Sequence, residues 1–197
     1  MKCIKKTESS IEEVADYLKK GKITVLPTDT VYGFSGIVDT NKSVNLFSTD
    51  VAIRSIKGRS EFKPLIQLIS DPRDILLYTD DVIPQKLLDK WPGPLTIIVN
   101  IKKNSPLSSD YNTVAFRCPG DEWLRNVIRS LNAPIYSTSV NRSGESVLGR
   151  IEDIKNEFGD DVDLIVEDGD KLNGVPSTIV SIENNNIKVL RQGKVTI

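Results

Sequence analysis

Short apolar runs rich in β-branched residues alternate with amphipathic segments along most of the chain, and this alternation limits the possible folds more than any other feature. Runs of the first kind are typical of buried strands, whereas apolar residues spaced three and four positions apart are typical of helices. The alternation predicts an α/β fold built on a mixed sheet. The predicted strands lie near residues 22–28, 63–70, 95–101, 113–119, 133–140, 177–183 and 187–193, and the last two are joined by a turn at 184–186.

The amphipathic segments predict helices near residues 10–20, 41–59, 83–91 and 121–132. In the second of these, the spacing places Val44, Phe47 and Val51 on one face, which we expect to point toward the core. No internal repeat or linker interrupts the pattern. We therefore predict a single domain over residues 1–197.

The composition is that of an ordinary globular protein, with 39% hydrophobic and 27% charged residues and a formal net charge of -1. Near-neutral charge argues against nucleic-acid binding through a broadly basic surface. The N-terminus lacks a long apolar stretch, and no run is long enough to span a bilayer. Cys3 and Cys118 are far apart and form no metal-binding pattern. We expect a cytoplasmic protein that does not contact membranes.

The chain contains no histidine, and this absence restricts the chemistry that is available. It excludes Ser-His-Asp and Cys-His catalysis and removes the commonest zinc ligand. Neither a Walker A motif nor a G-x-G-x-x-G motif is present, so ordinary P-loop and Rossmann nucleotide sites are excluded. Chemistry must depend on lysine, arginine, carboxylates and hydroxyls, or on a bound metal.

Polar residues cluster where several predicted strands end, which is where ligand groups gather in α/β sheets. The stretch 27–33, "PTDTVYG", is either a loop that satisfies its own backbone or a wall of a polar ligand site. The stretch 57–64, "KGRSEFKP", is either a solvated basic loop or an anion site. The stretch 136–144, "YSTSVNRSG", offers short donors that either cap the backbone or reach a phosphate.

Arg117 lies within an apolar strand, and a buried guanidinium needs a partner. That partner is either an internal carboxylate or a bound carboxylate or phosphate. The sequence leaves both alternatives open.

The motifs "PTDTVYGF", "KGRSEFKPL", "WPGPLT", "TVAFRCP", "STSVNRSG", "PSTIV" and "RQG" occur in this order between residues 27 and 193. In order and spacing the chain resembles the YrdC/Sua5 family, in its short form. The resemblance implies a twisted, open mixed α/β sheet with helices around a concave cavity. It also implies a nucleotidyltransferase that makes threonylcarbamoyl-AMP and pyrophosphate from L-threonine, bicarbonate and ATP, with Mg²⁺ accompanying ATP, for the t6A modification of tRNA. Downstream threonylcarbamoyl transferase proteins are the implied partners.

The resemblance also implies roles for individual residues. The catalytic positions fall on Lys57, Arg59, Ser139 and Asn141. The threonine-binding positions fall on Thr30, Tyr32, Arg117, Ser137 and Ser177, and the ATP-binding positions fall on Arg59, Lys63, Thr113, Ser139, Val147 and Arg191. The chain departs from the family pattern at Leu68, where longer relatives carry histidine, at Ser60, which replaces a proline, and at Val140, which replaces an alanine.

Two alternatives stay open beside the synthase. One is a YciO-type paralogue without synthase activity, and the other is a module that binds double-stranded RNA or tRNA. The near-neutral charge disfavours the second.

Overall fold

The strands of the protein form one mixed sheet. The computed structural model describes residues 1–40, 48–58, 64–105, 107, 112–183 and 186–197. Within these ranges the strands are β1 (Lys2–Lys5), β2 (Thr24–Leu26), β3 (Gly33–Ile37), β4 (Ile66–Leu68), β5 (Leu95–Asn100), β6 (Thr113–Arg117), β7 (Ile135–Ser139), β8 (Leu164–Glu167), β9 (Thr178–Glu183) and β10 (Asn186–Arg191). They lie in the order β1-β8-β2-β3-β7-β4-β6-β5-β9-β10.

The sheet is mixed and open. Parallel pairs join β1 with β8, β8 with β2, β4 with β6, and β5 with β9, and the remaining neighbours are antiparallel. Because β1 and β10 each have one neighbour, the sheet does not close into a barrel. These observations confirm the predicted fold class.

The helices are α1 (Ile11–Lys19), α2 (Thr49–Ile56), α3 (Gln85–Leu88), α4 (Glu122–Leu131) and α5 (Ile151–Phe158). Short 3-10 helices occupy Glu8–Ser10 and Pro72–Leu77. None of the helices in the described ranges is long and apolar enough to cross a membrane.

The helices α1 and α4 pack together on one face of the sheet. Leu18 from α1 and Leu124 from α4 are fully buried and share a core cluster with Leu26, Leu68 and Ile135 from the strands. Separate clusters lie elsewhere, one of them around Phe34 and Phe158, whose rings meet edge to face at 4.9 Å. These cores fix the strands against each other and so fix the polar residues at the strand ends.

We predicted that Val51, in segment 41–59, points toward the core. This prediction is wrong, because 58% of Val51 is exposed. Thr49 and Ile53 are the buried residues of α2, and Thr49 Oγ1 donates a hydrogen bond to Ile37 O. A Cβ added at Gly36 would lie 2.7 Å from Thr49 Cβ, so the glycine allows the close contact that sets the rotation of α2. Val44 and Phe47 lie outside the described residues.

The structure contains elements for which we predicted neither helix nor strand, namely β1, β3, β8 and α5. β3 reads GFSGI, and its two glycines and serine give little β-propensity. It forms a strand because it is hydrogen-bonded between β2 and β7. This tertiary pairing brings the stretch 27–33 beside β7.

Candidate active site

A cavity of about 250 Å³ opens on one face of the sheet, where residues of β3, β4, β6, β7, β9 and β10 converge. Register explains the convergence, since Ser137 of β7 lies opposite Ser35 of β3 and Ile66 of β4. The cavity brings together these predicted site residues: Thr30, Tyr32, Arg117, Ser137, Ser139, Val147, Ser177 and Arg191. A larger, open groove of about 520 Å³ beside Ile69 and Tyr78 contains none of them.

The described wall of this cavity carries two guanidinium groups, Arg117 and Arg191, and no acidic side chain. Burial lowers the pKa of Arg191 below its usual value, and the positive charge of Arg117 lowers this pKa further. Arg191 stays charged all the same, because an arginine in a protein does not lose its proton. Two like charges that face one cavity favour an anionic ligand between them.

Arg117 has an internal partner and also faces the cavity. It is 5% exposed and forms an ion pair with Asp29 through Nη2. Its Nη1 donates to Thr30 Oγ1 at 2.9 Å, and its Nε donates to Gly93 O at 3.1 Å. These bonds use three of the five guanidinium N–H groups, so two donors are left that a ligand could engage. The sequence left open whether the partner of Arg117 is an internal carboxylate or a bound anion. The internal carboxylate is present as Asp29, and the two remaining donors still leave room for a ligand.

The turn at residues 91–94 helps to hold Arg117. Gly93 N donates to Cys118 O at 2.8 Å, while Gly93 O accepts from Arg117. A Cβ at position 93 would lie 2.5 Å from Lys90 O, so this turn requires glycine. Trp91 Nε1 donates to Leu95 O at 2.6 Å and ties the turn to β5. The motif "WPGP" is thus a rigid support for the end of β6.

The hydroxyl-rich stretch 27–33 combines both of its possible roles. Thr28 Oγ1 accepts hydrogen bonds from the backbone N–H groups of Thr30 and Val31, at 3.0 and 3.2 Å, and so satisfies the local turn. Thr30 Oγ1 lies 2.8 Å from Thr28 Oγ1 and accepts from Arg117. One threonine shapes the turn, and the other links it to the guanidinium in the cavity wall.

Tyr32 lines the cavity, but its hydroxyl is engaged elsewhere. The hydroxyl donates to Gly169 O at 2.7 Å and accepts from the backbone N–H of Asp168 at 2.8 Å. Burial raises the pKa of this phenol to about 12. The hydroxyl therefore anchors the 168–169 backbone, and the hydrogen bonds of Tyr32 support the loop that leads to Ser177.

We expect Tyr32→Phe to lower the free energy of unfolding by about 1 to 2 kcal/mol, because two partly buried hydrogen bonds to the backbone at residues 168 and 169 are lost. The folded-state pKa of Tyr32 is raised from 10.0 to about 12. The contribution of the phenol is therefore complete below pH 10 and is lost as the pH rises toward 12, since the unfolded chain ionises first. Urea unfolding at several pH values, with Tyr17→Phe on α1 as control, measures both effects. A difference from wild type that is constant up to pH 12 would contradict this account.

Lys57, Ser139 and Asn141 form one hydrogen-bonded cluster. Lys57 is 4% exposed, and its ammonium donates to Ser139 O at 2.6 Å, to Asn141 O at 3.0 Å and to Asn141 Oδ1 at 2.8 Å. Ser139 Oγ donates to the same Oδ1 at 2.7 Å. Asn141 Nδ2 donates to the backbone carbonyls of Arg142 and Glu145. Three of the four predicted catalytic positions thus hold the 139–145 segment in place, and Ser139 lies at the cavity wall.

Ser177 and Arg191 form a second pair in the wall. Arg191 Nη2 donates to Ser177 O at 2.9 Å and to Ser177 Oγ at 3.2 Å. Ser177 Oγ also lies 2.8 Å from Thr96 Oγ1, which is fully buried on β5. Ile179 of β9 lies opposite both Thr96 and Arg191, so the register of three strands builds this corner.

The remaining predicted positions lie apart from this cavity or outside the described residues. Thr113 begins β6 and is not among the described residues that line the cavity. Arg59 and Lys63, together with Ser60, fall outside the described ranges. Leu68 and Val140 are buried in apolar clusters, so these two departures from the family pattern affect packing.

Sequence reasoning missed the contacts of the supporting residues Asp29 and Thr96. Asp29 stood in a polar stretch that we singled out, but nothing in the sequence paired it with Arg117. Thr96 lies in a β-branched run that predicts a strand and gives no sign of a polar contact. Contacts between residues so far apart in sequence depend on strand order, which a single sequence does not reveal.

Two relatives match nearly the whole chain. A Methanocaldococcus jannaschii protein that is provisionally named threonylcarbamoyl-AMP synthase is 33% identical over 200 residues, which cover 96% of this chain and 90% of the relative. A Pseudoalteromonas translucida protein named threonylcarbamoyl-AMP synthase is 27% identical over 187 residues, which cover 91% of this chain and 97% of the relative.

Solved structures share the fold. A substituted form of P. abyssi Sua5 superposes with a TM-score of 0.81 at 27% identity, covering 95% of this chain and 57% of that one. P. abyssi Sua5 complexed with L-threonine gives 0.81 at 24% identity, covering 97% and 56%. E. coli YciO gives 0.80 at 23% identity, covering 95% and 90%. The likenesses below 25% identity show the fold alone, and this chain spans a little over half the length of the Sua5 chains.

A family model named Sua5_yciO_yrdC, with the description "Telomere recombination", matches residues 16–193. The match covers most of the chain, including every strand that contributes to the cavity. The chain therefore belongs to the Sua5/YciO/YrdC family.

Proposed function

We propose that this protein is a threonylcarbamoyl-AMP synthase, a nucleotidyltransferase that combines L-threonine, bicarbonate and ATP. The observation that carries the proposal is the cavity wall, in which Arg117 and Arg191 are surrounded by hydroxyl groups without an acidic side chain among the described lining. Both full-length relatives have the name of this enzyme, which supports the same activity.

The reaction that we propose joins anions. The threonine amine and bicarbonate form a carbamate with loss of water, and a carbamate oxygen attacks the α-phosphorus of ATP. The bond from the α-phosphorus to the bridging oxygen breaks, and pyrophosphate leaves with the electron pair. Since bicarbonate, the carbamate and ATP are all negatively charged, the protein has to supply positive charge and alignment, and no covalent nucleophile is needed. A chain without histidine is suited to such chemistry.

Arg117 is proposed to bind the threonine carboxylate with the two N–H groups that its internal partners leave over. Thr30, Tyr32, Ser137 and Ser177 form the proposed walls around the amino acid.

Arg191 is proposed to neutralise phosphate oxygens. Arg59, Lys63, Thr113, Ser139 and Val147 remain predicted ATP-binding positions, and the resemblance supports them.

Mg²⁺ accompanying ATP remains a proposal as well. Among the described residues there is no group of three or more acidic, cysteine or histidine side chains that could hold a metal ion. The described cavity wall presents guanidinium groups where a protein-held Mg²⁺ needs carboxylates. These residues do not fit a protein-built magnesium site, and we assign no step to the ion.

The proposed product is a mixed anhydride that serves the t6A modification of tRNA. Transfer to a threonylcarbamoyl transferase protein is part of the proposal. Contacts with tRNA or double-stranded RNA and a cytoplasmic location stay predictions.

We expect the purified protein to release pyrophosphate from ATP only when L-threonine and bicarbonate are both present. L-Serine should support a slower rate, and the loss should be modest because one methyl group in an apolar sub-pocket contributes only about 1 kcal/mol or somewhat more. A coupled pyrophosphate assay with each substrate omitted in turn measures this dependence, and Lys22→Ala, far from the cavity, should keep the wild-type rate. Pyrophosphate release without an amino acid, or none with all three substrates, would reject the synthase.

A further inference from the structure

Asp29 is an acidic side chain that bonds to a cavity guanidinium, although it is not itself among the described residues that line the cavity. Its carboxylate forms the ion pair with Arg117, and its side chain is 19% exposed. Arg191, by contrast, bonds to backbone and hydroxyl oxygens of Ser177. Among the described residues, Asp29 thus offsets one of the two positive charges that face the cavity.

The surroundings of Asp29 leave its carboxylate little freedom. Asp29 follows Thr28, whose hydroxyl fixes the turn by accepting backbone hydrogen bonds. A Cβ at Gly120 would lie 3.0 Å from Asp29 Oδ2, so the chain after β6 packs closely against the carboxylate. The carboxylate of Asp29 therefore lies between two groups. Its Oδ1 contacts the guanidinium of Arg117, and its Oδ2 lies against the backbone at Gly120.

The three bonds of Arg117 come from two parts of the chain, the adjacent residues Asp29 and Thr30 and the turn at Gly93. Asp29 binds Nη2, Thr30 binds Nη1, and Gly93 O binds Nε. A planar guanidinium whose three nitrogens are each bonded cannot rotate about the Cζ–Nε bond or swing on its stem without breaking a bond. One N–H on Nη1 and one on Nη2 are left, and these are two donors from which a carboxylate can accept hydrogen bonds.

We propose that Asp29 is a positioning residue, which holds Arg117 in the orientation that binds the threonine carboxylate. The inference rests on the proposed function, because it takes the amino-acid carboxylate as the ligand of Arg117. Asp29 itself does not touch the substrate. Its effect is on the alignment of the two N–H groups of Arg117 that remain for the ligand.

Two substitutions of Asp29 separate the loss of Arg117 alignment from the loss of the carboxylate charge. Asp29→Ala removes the acceptor, so Arg117 can reorient, and the affinity for L-threonine should fall by about ten-fold. Asp29→Asn keeps an oxygen at the same place and should restore the affinity to within about three-fold of wild type. The affinity for ATP should not change in either variant. Asp153→Ala, which removes an exposed carboxylate on α5, is the matched control and should change nothing.

Isothermal titration with L-threonine and with ATP measures both affinities, and thermal melts check that each variant is folded. NMR of the arginine guanidinium protons in the free protein provides a second readout. Restricted rotation should give separate Nη signals for Arg117 in the wild type and in Asp29→Asn, and these signals should merge in Asp29→Ala.

A folded Asp29→Ala protein with wild-type threonine affinity, or with unchanged Arg117 signals, would overturn the positioning role. Equal losses in Asp29→Asn and Asp29→Ala would also overturn it, since charge alone would then explain the effect. A wild-type protein that binds threonine but releases no pyrophosphate would reject the synthase and leave the role of Asp29 supported.

Discussion

Arg117→Ala should lower the affinity for L-threonine about ten-fold or more, because a charge-assisted hydrogen-bonded pair is worth about 1.5 to 3 kcal/mol. It should also reduce the free energy of unfolding by about 2 to 4 kcal/mol, since the Asp29 carboxylate is left largely buried without its partner. ATP affinity should barely change. Threonine and ATP titrations beside denaturant unfolding measure all three quantities.

The double variant Arg117→Ala, Asp29→Ala separates the two effects. Removing both charges should recover part of the stability, because no unpaired carboxylate remains, but threonine affinity should stay low. If the double variant regained threonine affinity together with stability, Arg117 would act only through the fold. Normal threonine binding by Arg117→Ala would likewise remove this residue from the site.

Lys57→Met should destabilise the protein by about 2 to 4 kcal/mol, because the ammonium donates to three oxygens in the 139–141 segment. Methionine keeps most of the apolar stem, so the change isolates the charged group. For a chain of this size the melting temperature should fall by about 4 to 16 °C. Differential scanning calorimetry measures the shift.

Lys22→Met is the matched control, since the side chain of Lys22 is 51% exposed and its ammonium lies 3.0 Å from Asp163. An exposed ion pair of this kind contributes about 1 kcal/mol at most. Turnover of Lys57→Met should fall through loss of order at Ser139 and Asn141. A Lys57→Met protein that is as stable as Lys22→Met, yet inactive, would place the ammonium on the substrate instead.

The parts of the fold that the sequence predicted are those with strong local signals. α4 has a regular apolar stripe and is capped by Asp121, the residue before the helix, whose side chain accepts from Leu124 N at 3.0 Å. β5 and β6 are rich in β-branched or apolar residues. β3 could not be predicted in this way, because its residues adopt a strand only through their neighbours.

The residues of the site were easier to predict than their contacts. The sequence indicated that Arg117 needs a partner, but the partner lies 88 residues away in the chain. Lys57 appeared in a basic stretch that suggested either a solvated loop or an anion site. The side chain is instead buried, and its ammonium donates to the carbonyl of Ser139, 82 residues away in the chain. Physical reasoning on one sequence identifies polar and charged side chains that need a hydrogen-bond or ion-pair partner. Which residues become those partners is decided by the strand order.

The strand order has a consequence for a chain that is synthesised from its N-terminus. β1 and β2 both pair with β8, and β5 pairs with β9. Strands that are synthesised first therefore pair with strands that are synthesised much later. Until the ribosome has released residues beyond 164, the edges of β1 and β2 that β8 later occupies have no partner, and open edges invite aggregation. Arg191 lines the cavity from the end of the last strand, so a nascent chain acquires the corner formed by Ser177 and Arg191 only after every strand of the sheet has been made.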